Sequence, residues 1–186
     1  MERIMTPTFR VAFPQVFTPK DMGDGKPKYS VVMLFNHDAI KANPWQTELW
    51  KGLKAAAEAA AAERWPKGVA DNMMSPFKDG MEKQEYDGYG AGVTFINAKS
   101  MYKPGLIASD RTEIIDASEF YGGCYARATV SVYAWEYMKK TGVNFGLLNV
   151  QKVKDGDPFG GNSRPEDDFD TAFAVAEDAN TDDLFN

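Results

Sequence analysis

One stretch limits the fold more than any other: residues 124–137, a long run of β-branched and aromatic residues in two-residue alternation. Side chains point alternately to the two faces of a strand. One face here carries Ala126, Ala128, Val130, Val132 and Ala134, all small and apolar. The other carries Tyr125, Arg127, Thr129, Ser131, Tyr133, Trp135 and Tyr137. The first face suits the tight interior of a small barrel. The second is unusual for plain solvent. It fits stacking on bases while a cation tracks the phosphates, and it equally fits packing beneath a helix or a long insertion.

The flanking sequence supplies partners for this strand. Residues 10–17 read as a first strand, with Pro14 marking an edge or a bulge. A loop over 18–28 leads to a second strand at 29–35. One strong helix follows: Asn43 caps it, Pro44 takes its first position, and Gln46 sits where a capping-box partner belongs. Its Ala-rich half runs to Arg64 and Pro66 ends it. Leu49, Leu53, Ala56, Ala57 and Ala60 make one apolar face that packs on the body. Residues 67–89 show no period and read as a long irregular insertion. A third strand spans 92–99, a turn follows at 102–105, and residues 116–121 make a short helix. After the long fourth strand, residues 139–142 turn the chain into a final strand at 143–153.

This tally predicts a β-rich α+β fold. The plan is that of an OB-fold, a five-stranded barrel with an inserted helix and a long loop, although other small barrels share the count. The expected division is an OB-fold domain over 1–161, with the insertion at about 38–91, and a flexible, disordered acidic tail over 162–186.

The net charge of −6 argues against nucleic acid until the chain is split. Residues 1–164 hold all 21 Lys and Arg against 19 Asp and Glu, a balance of +2. Residues 165–186 hold 8 acids and no base. The body is mildly basic and the acidity is a tail, the pattern of an acidic interaction segment.

Several classes fall away. Cys124 is the only cysteine, so no internal disulfide forms. His37 is the only histidine, which speaks against a Cys/His metal site, and no cofactor is expected. No run of eighteen apolar residues spans a membrane. The start lacks the apolar stretch of a signal peptide, so the expected compartment is a cytoplasm. No phosphate loop appears, and Gly88, Gly90 and Gly92 have the wrong pattern for one. Asp110, Glu113, Asp116 and Glu119 fit no standard metal spacing and read as a solvated face. The chain reads as a binder, not an enzyme.

Basic residues adjoin aromatics in all five strands. Arg10 lies in the first, and Lys28 and Tyr29 open the second. Phe95, Asn97 and Lys99 lie in the third, with Tyr102 and Lys103 just after it. Tyr125, Arg127, Tyr133 and Trp135 lie in the fourth, Lys139 and Lys140 in the next turn, and Lys152 in the fifth. On one curved sheet they would line a basic, aromatic groove for single-stranded DNA. A body excess of only +2 predicts binding that depends strongly on salt.

Three segments resemble a group of phage single-stranded-DNA-binding proteins first catalogued as a domain of unknown function. They are residues 92–100 (GVTFINAKS), 121–128 (YGGCYARA) and 147–153 (LLNVQKV) with the DPFGG that follows at 157–161. The resemblance spans most of 3–161. It implies an OB-fold, a part in phage DNA replication, recombination or repair in the cytoplasm of the infected host, and Lys99, Tyr125, Arg127 and Lys152 as binding residues. The end of the chain is similar to that of a broader group, bacterial and phage single-stranded-DNA-binding proteins with an acidic peptide ending in Phe. Here Asp182, Asp183, Leu184 and Phe185 follow that logic, and Asn186 departs from it by moving the terminal carboxylate one residue on.

The reading that follows is a protein that coats single-stranded DNA with little sequence preference. Its tail recruits replication or recombination proteins and competes with DNA for the groove. Self-association is left open. The alternatives are a phage structural or interaction protein that binds no DNA, and a metal-dependent nuclease.

Overall fold

A computed structural model describes residues 2–160 of the chain. The strands are β1 (Ile4–Met5), β2 (Phe9–Lys20), β3 (Lys28–Asn36), β4 (Lys78–Asp79), β5 (Val93–Ser100), β6 (Gly105–Ile107), β7 (Tyr125–Tyr137) and β8 (Lys140–Lys154). The helices are α1 (His37–Lys41) and α2 (Pro44–Arg64).

Five strands close on themselves. β2 pairs with β3, β3 with β5, β5 with β8, β8 with β7, and β7 with β2. All pairs are antiparallel except β5–β8. This first-second-third-fifth-fourth order is a closed OB barrel, one of the small-barrel plans that the strand count allows and the one expected. Three short strands were not foreseen. β1 and β6 extend the pairing along β7 and β8, and β4 adds to β5. Two- and three-residue strands carry no readable period.

Alternation fills the barrel as the sequence dictates. Ala126, Ala128 and Val130 of β7 are buried with Val11, Met33, Ile96 and Phe145 in one core. The helix begins at the expected place: the Asn43 side chain accepts from Trp45 N–H at 3.0 Å, and Pro44 opens α2. Its inner seam is Leu53, Ala57 and Ala61, all in the barrel core. Gln46 takes a different partner from the one expected. Its Oε1 accepts from Thr8 N–H at 2.7 Å and ties the helix to the link between β1 and β2.

Three boundaries differ from the sequence reading. The hairpin turn is Met138–Lys139, both with positive φ (49° and 64°), so β8 begins at Lys140 instead of 143. Such turns usually carry Asn-Gly, and Met-Lys gave no signal. The short helix at 116–121 is a single 3-10 turn, Ala117–Glu119, capped by Asp116. The first strand runs on to Lys20, with register shifts that mark bulges on either side of Gln15.

A second, smaller core lies outside the barrel. Ala12, Leu34, Val93 and Phe95 face outward and are covered by Tyr89 and Phe159. Residues 80–92 of the insertion therefore fold back over one part of the sheet. Gly123 is what lets the 155–159 segment close over the other side. Its φ is +112°, and a Cβ there would press into the Asp157 carbonyl. Gly123→Ala is expected to cost about 1–3 kcal/mol for the backbone alone, with the Asp157 collision added. A lower urea midpoint at unchanged m-value checks this.

Candidate nucleic-acid interface

The part of the sheet left uncovered runs across β3, β5, β8 and β7. Register brings its residues together. Ser30 lies opposite Lys99 and Val32 opposite Asn97. Lys99 lies beside Gly146 across the parallel pair, and Tyr133 lies opposite Asn144. Gly146 has no side chain, and the Tyr133 ring leans over it. Lys78, Asn97, Lys99, Tyr133 and Asn144 line one cleft of about 110 Å³. Tyr133 is 46% exposed.

Among the described residues neither Lys78 nor Lys99 has an ion-pair partner. Both ammonium groups are free to meet a phosphate. Lys28 is held by Asp24 at 2.8 Å. That hydrogen bond is the main reason its pKa stands above the usual lysine value, with the Tyr133 phenol adding a smaller pull. Lys28 thus sits at the same face. Tyr102 (84% exposed) and Lys103 follow the end of β5, whose last residue, Ser100, lies opposite Tyr29. Lys139 and Lys140 are exposed at the tip of the β7–β8 hairpin. Sequence reasoning missed Lys78 and Asn144. Lys78 sits in the aperiodic insertion, and only its pairing with Phe95 places it.

The other sequence-predicted residues do not line this cleft. Phe95 is 1% exposed, covered by the insertion, and cannot stack a base. Tyr29 shares the inward side of Val31 and Met33 and is half-buried. Trp135 points outward, but its ring lies against Gly142. Its Nε1–H donates to the Asn144 side-chain oxygen at 3.2 Å in the amide orientation that satisfies both.

Arg10, Tyr125 and Lys152 belong to a structural clasp. Arg10 Nε donates to Gly123 O at 3.1 Å and its Nη2 to Asp157 O at 2.8 Å. Its guanidinium lies 4.4 Å from the Phe159 ring centre and 5.7 Å from that of Tyr125. Lys152 pairs with Asp155 at 2.6 Å and lies over Tyr121. Arg127 is outward but at the far end of β7, where its Nε donates to Gln151 at 2.8 Å.

Cys124 is fully buried beneath this clasp, and burial pushes its thiol up to about 12. The thiol stays protonated near neutral pH. A thiol reagent such as Ellman's is expected to leave the folded protein unmodified at pH 8 and to react once denaturant opens the fold. His37 Nε2 is 2.7 Å from Thr94 Oγ1 and holds α1 to β5. The tail residues Asp182, Asp183, Leu184 and Phe185 lie outside the described residues.

A closed OB barrel whose second and third strands present free cations beside an exposed aromatic defines a class: OB-fold proteins that hold a nucleic-acid strand across that face. Within it the chain belongs to the family described as Enterobacter phage Enc34, ssDNA-binding protein, whose model matches residues 2–185. The similar solved structures agree. The single-stranded DNA-binding protein from bacteriophage Enc34 in complex with ssDNA superposes with a TM-score of 0.72 at 26% identity, over 85% of this chain and 89% of that one. The T7 single-stranded DNA-binding protein gp2.5 shares the fold, with a TM-score of 0.60 at 15% identity over 88% of this chain and 98% of that one. Protein p50 of Acyrthosiphon pisum secondary endosymbiont phage 1 is 30% identical over 174 residues, 87% of this chain and 89% of its own.

Proposed function

We propose that this chain binds and coats single-stranded DNA on the open face of β3, β5, β7 and β8, during phage DNA replication, recombination or repair in the host cytoplasm. The observation that carries this is the cleft where Lys78 and Lys99, neither in an ion pair among the described residues, flank the exposed Tyr133. Tyr133 stacks a base. Lys28, Lys78 and Lys99 follow the phosphates, and Asn97 and Asn144 offer polar contacts between them. Tyr102 and Lys103 extend the path at one end, and Lys139 and Lys140 at the other. Stacking and charge are available to any base, so sequence preference is low.

The test is a titration with oligo-dT and with a duplex of equal length across a salt series. Six cations on phosphates give a slope of log K against log salt of roughly −4 for single strands. Equal affinity for the two DNA forms at every salt would sink the stacking model.

The acidic segment at 162–186 acts as a separate arm beyond the barrel in this proposal. Its 8 acids compete with DNA for the basic face, while Leu184 and Phe185 anchor replication or recombination proteins. Removing residues 165–186 is expected to tighten DNA binding several-fold at low salt and to weaken capture of such partners. Affinity that stays flat or drops in the truncated chain counts against the competition.

A further inference from the structure

Phe13 holds a backbone conformation that its side chain disfavours. It sits in β2 at a bulge, where the register shifts between Ala12 and Gln15. Its φ is +44°. A bulky residue in the left-handed region is a true outlier, and bulges that need this backbone ordinarily use glycine. Pro14 follows directly, and a proline pushes the residue before it toward extended backbone. The strained position gains no burial: Phe13 is 54% exposed and belongs to neither core. Strain held at an exposed aromatic points to a use outside the fold.

The ring has one partner of the same kind. Tyr86, 47% exposed, meets it edge to face at 5.6 Å between centres and 87° between planes. Both rings line a hollow of about 390 Å³ with Ala12, Pro14 and Gly122. Glu85 and Asp87 lie at the same hollow, so it repels phosphate and suits a neutral planar group. Cations lie between this pair and the open face. Tyr86 contacts Tyr89 at 6.1 Å, and Tyr89 contacts Phe95 at 5.2 Å. Over Phe95 lie Lys83 at 5.6 Å and Lys78 at 5.9 Å, and Lys78 also lines the Tyr133 cleft.

We propose that the Phe13–Tyr86 pair is a second base-stacking station, reached by a strand that passes from Tyr133 over Lys78 and Lys83. This rests on the single-stranded-DNA reading above and extends its path onto the outer side of β2. Aromatic stations separated by lysines match the alternation of bases and phosphates along one strand.

The experiment compares the full chain with Phe13→Gly, Tyr86→Ala, Tyr86→Phe and Tyr133→Ala on an oligo-dT of about 16 nucleotides, the upper span of one OB fold. Phe13→Gly and Tyr86→Ala are each expected to weaken binding at least about fivefold, the loss of one base stack, while Tyr86→Phe keeps native affinity. Glycine suits the left-handed backbone, so Phe13→Gly is expected to melt no lower than the native chain. Native affinity in Phe13→Gly and Tyr86→Ala, with Tyr133→Ala weakened, overturns the second station and leaves the proposed function standing. A native chain that does not bind the oligonucleotide overturns both.

Discussion

A Tyr133→Ala, Lys99→Ala double variant is expected to bind oligo-dT roughly 30-fold more weakly than the native chain, from about 1–3 kcal/mol for the lost stack and a lost phosphate contact. Tyr133 is exposed over Gly146, and Lys99 makes no ion pair among the described residues. Surface changes of this kind usually alter stability by no more than about 0.5 kcal/mol. The thermal midpoint therefore stays near native while affinity falls. The two losses also separate by salt. Removing Lys99 reduces the slope of log K against log salt by about 0.7, whereas removing Tyr133 leaves it unchanged. Fluorescence anisotropy at several salt concentrations on the two single variants reads both effects. Native affinity in the double variant contradicts the placement of the site.

The residues of this cleft were legible in the sequence to different degrees, for physical reasons. Alternation along β7 put Tyr133 on the outer face, because a strand's period depends on no other part of the chain. Lys99 and Asn97 were legible only as polar residues beside aromatics in the third strand; they share one parity in β5 and so one face. What covers an outward residue is a long-range fact. Phe95 has the same parity as Asn97 and Lys99, yet residues 80–92 fold over it and leave the other two open. Trp135 has the parity of Tyr133, but the glycine opposite it at Gly142 lets its ring settle against the sheet. The strain at Phe13 was visible only as Pro14, which signalled an edge or bulge and not the ring that the bulge turns outward.

Arg10→Ala is expected to lower stability by about 2 kcal/mol and to leave the salt slope of single-stranded-DNA binding unchanged. By residue type and strand, Arg10 reads as a phosphate ligand. Its geometry makes it a clasp. Two carbonyls, Gly123 O and Asp157 O, accept its hydrogen bonds, and two rings, Phe159 and Tyr125, flank its guanidinium. Hydrogen bonds from charged groups contribute about 1.5–3 kcal/mol when buried. The part-buried bond to Gly123 counts at the lower end, about 1.5 kcal/mol, and the exposed bond to Asp157 adds about 0.5 kcal/mol. Arg10→Lys keeps the charge but loses the planar fork that reaches both carbonyls. Its midpoint is expected to fall nearly as far as that of Arg10→Ala. A phosphate ligand would behave in the opposite way: the lysine variant would keep most of the affinity, and the alanine variant would reduce the salt slope by about 0.7. Urea unfolding and salt titration of the two variants decide between clasp and ligand. The clasp predicts that both variants lose stability together while their salt slopes match the native chain.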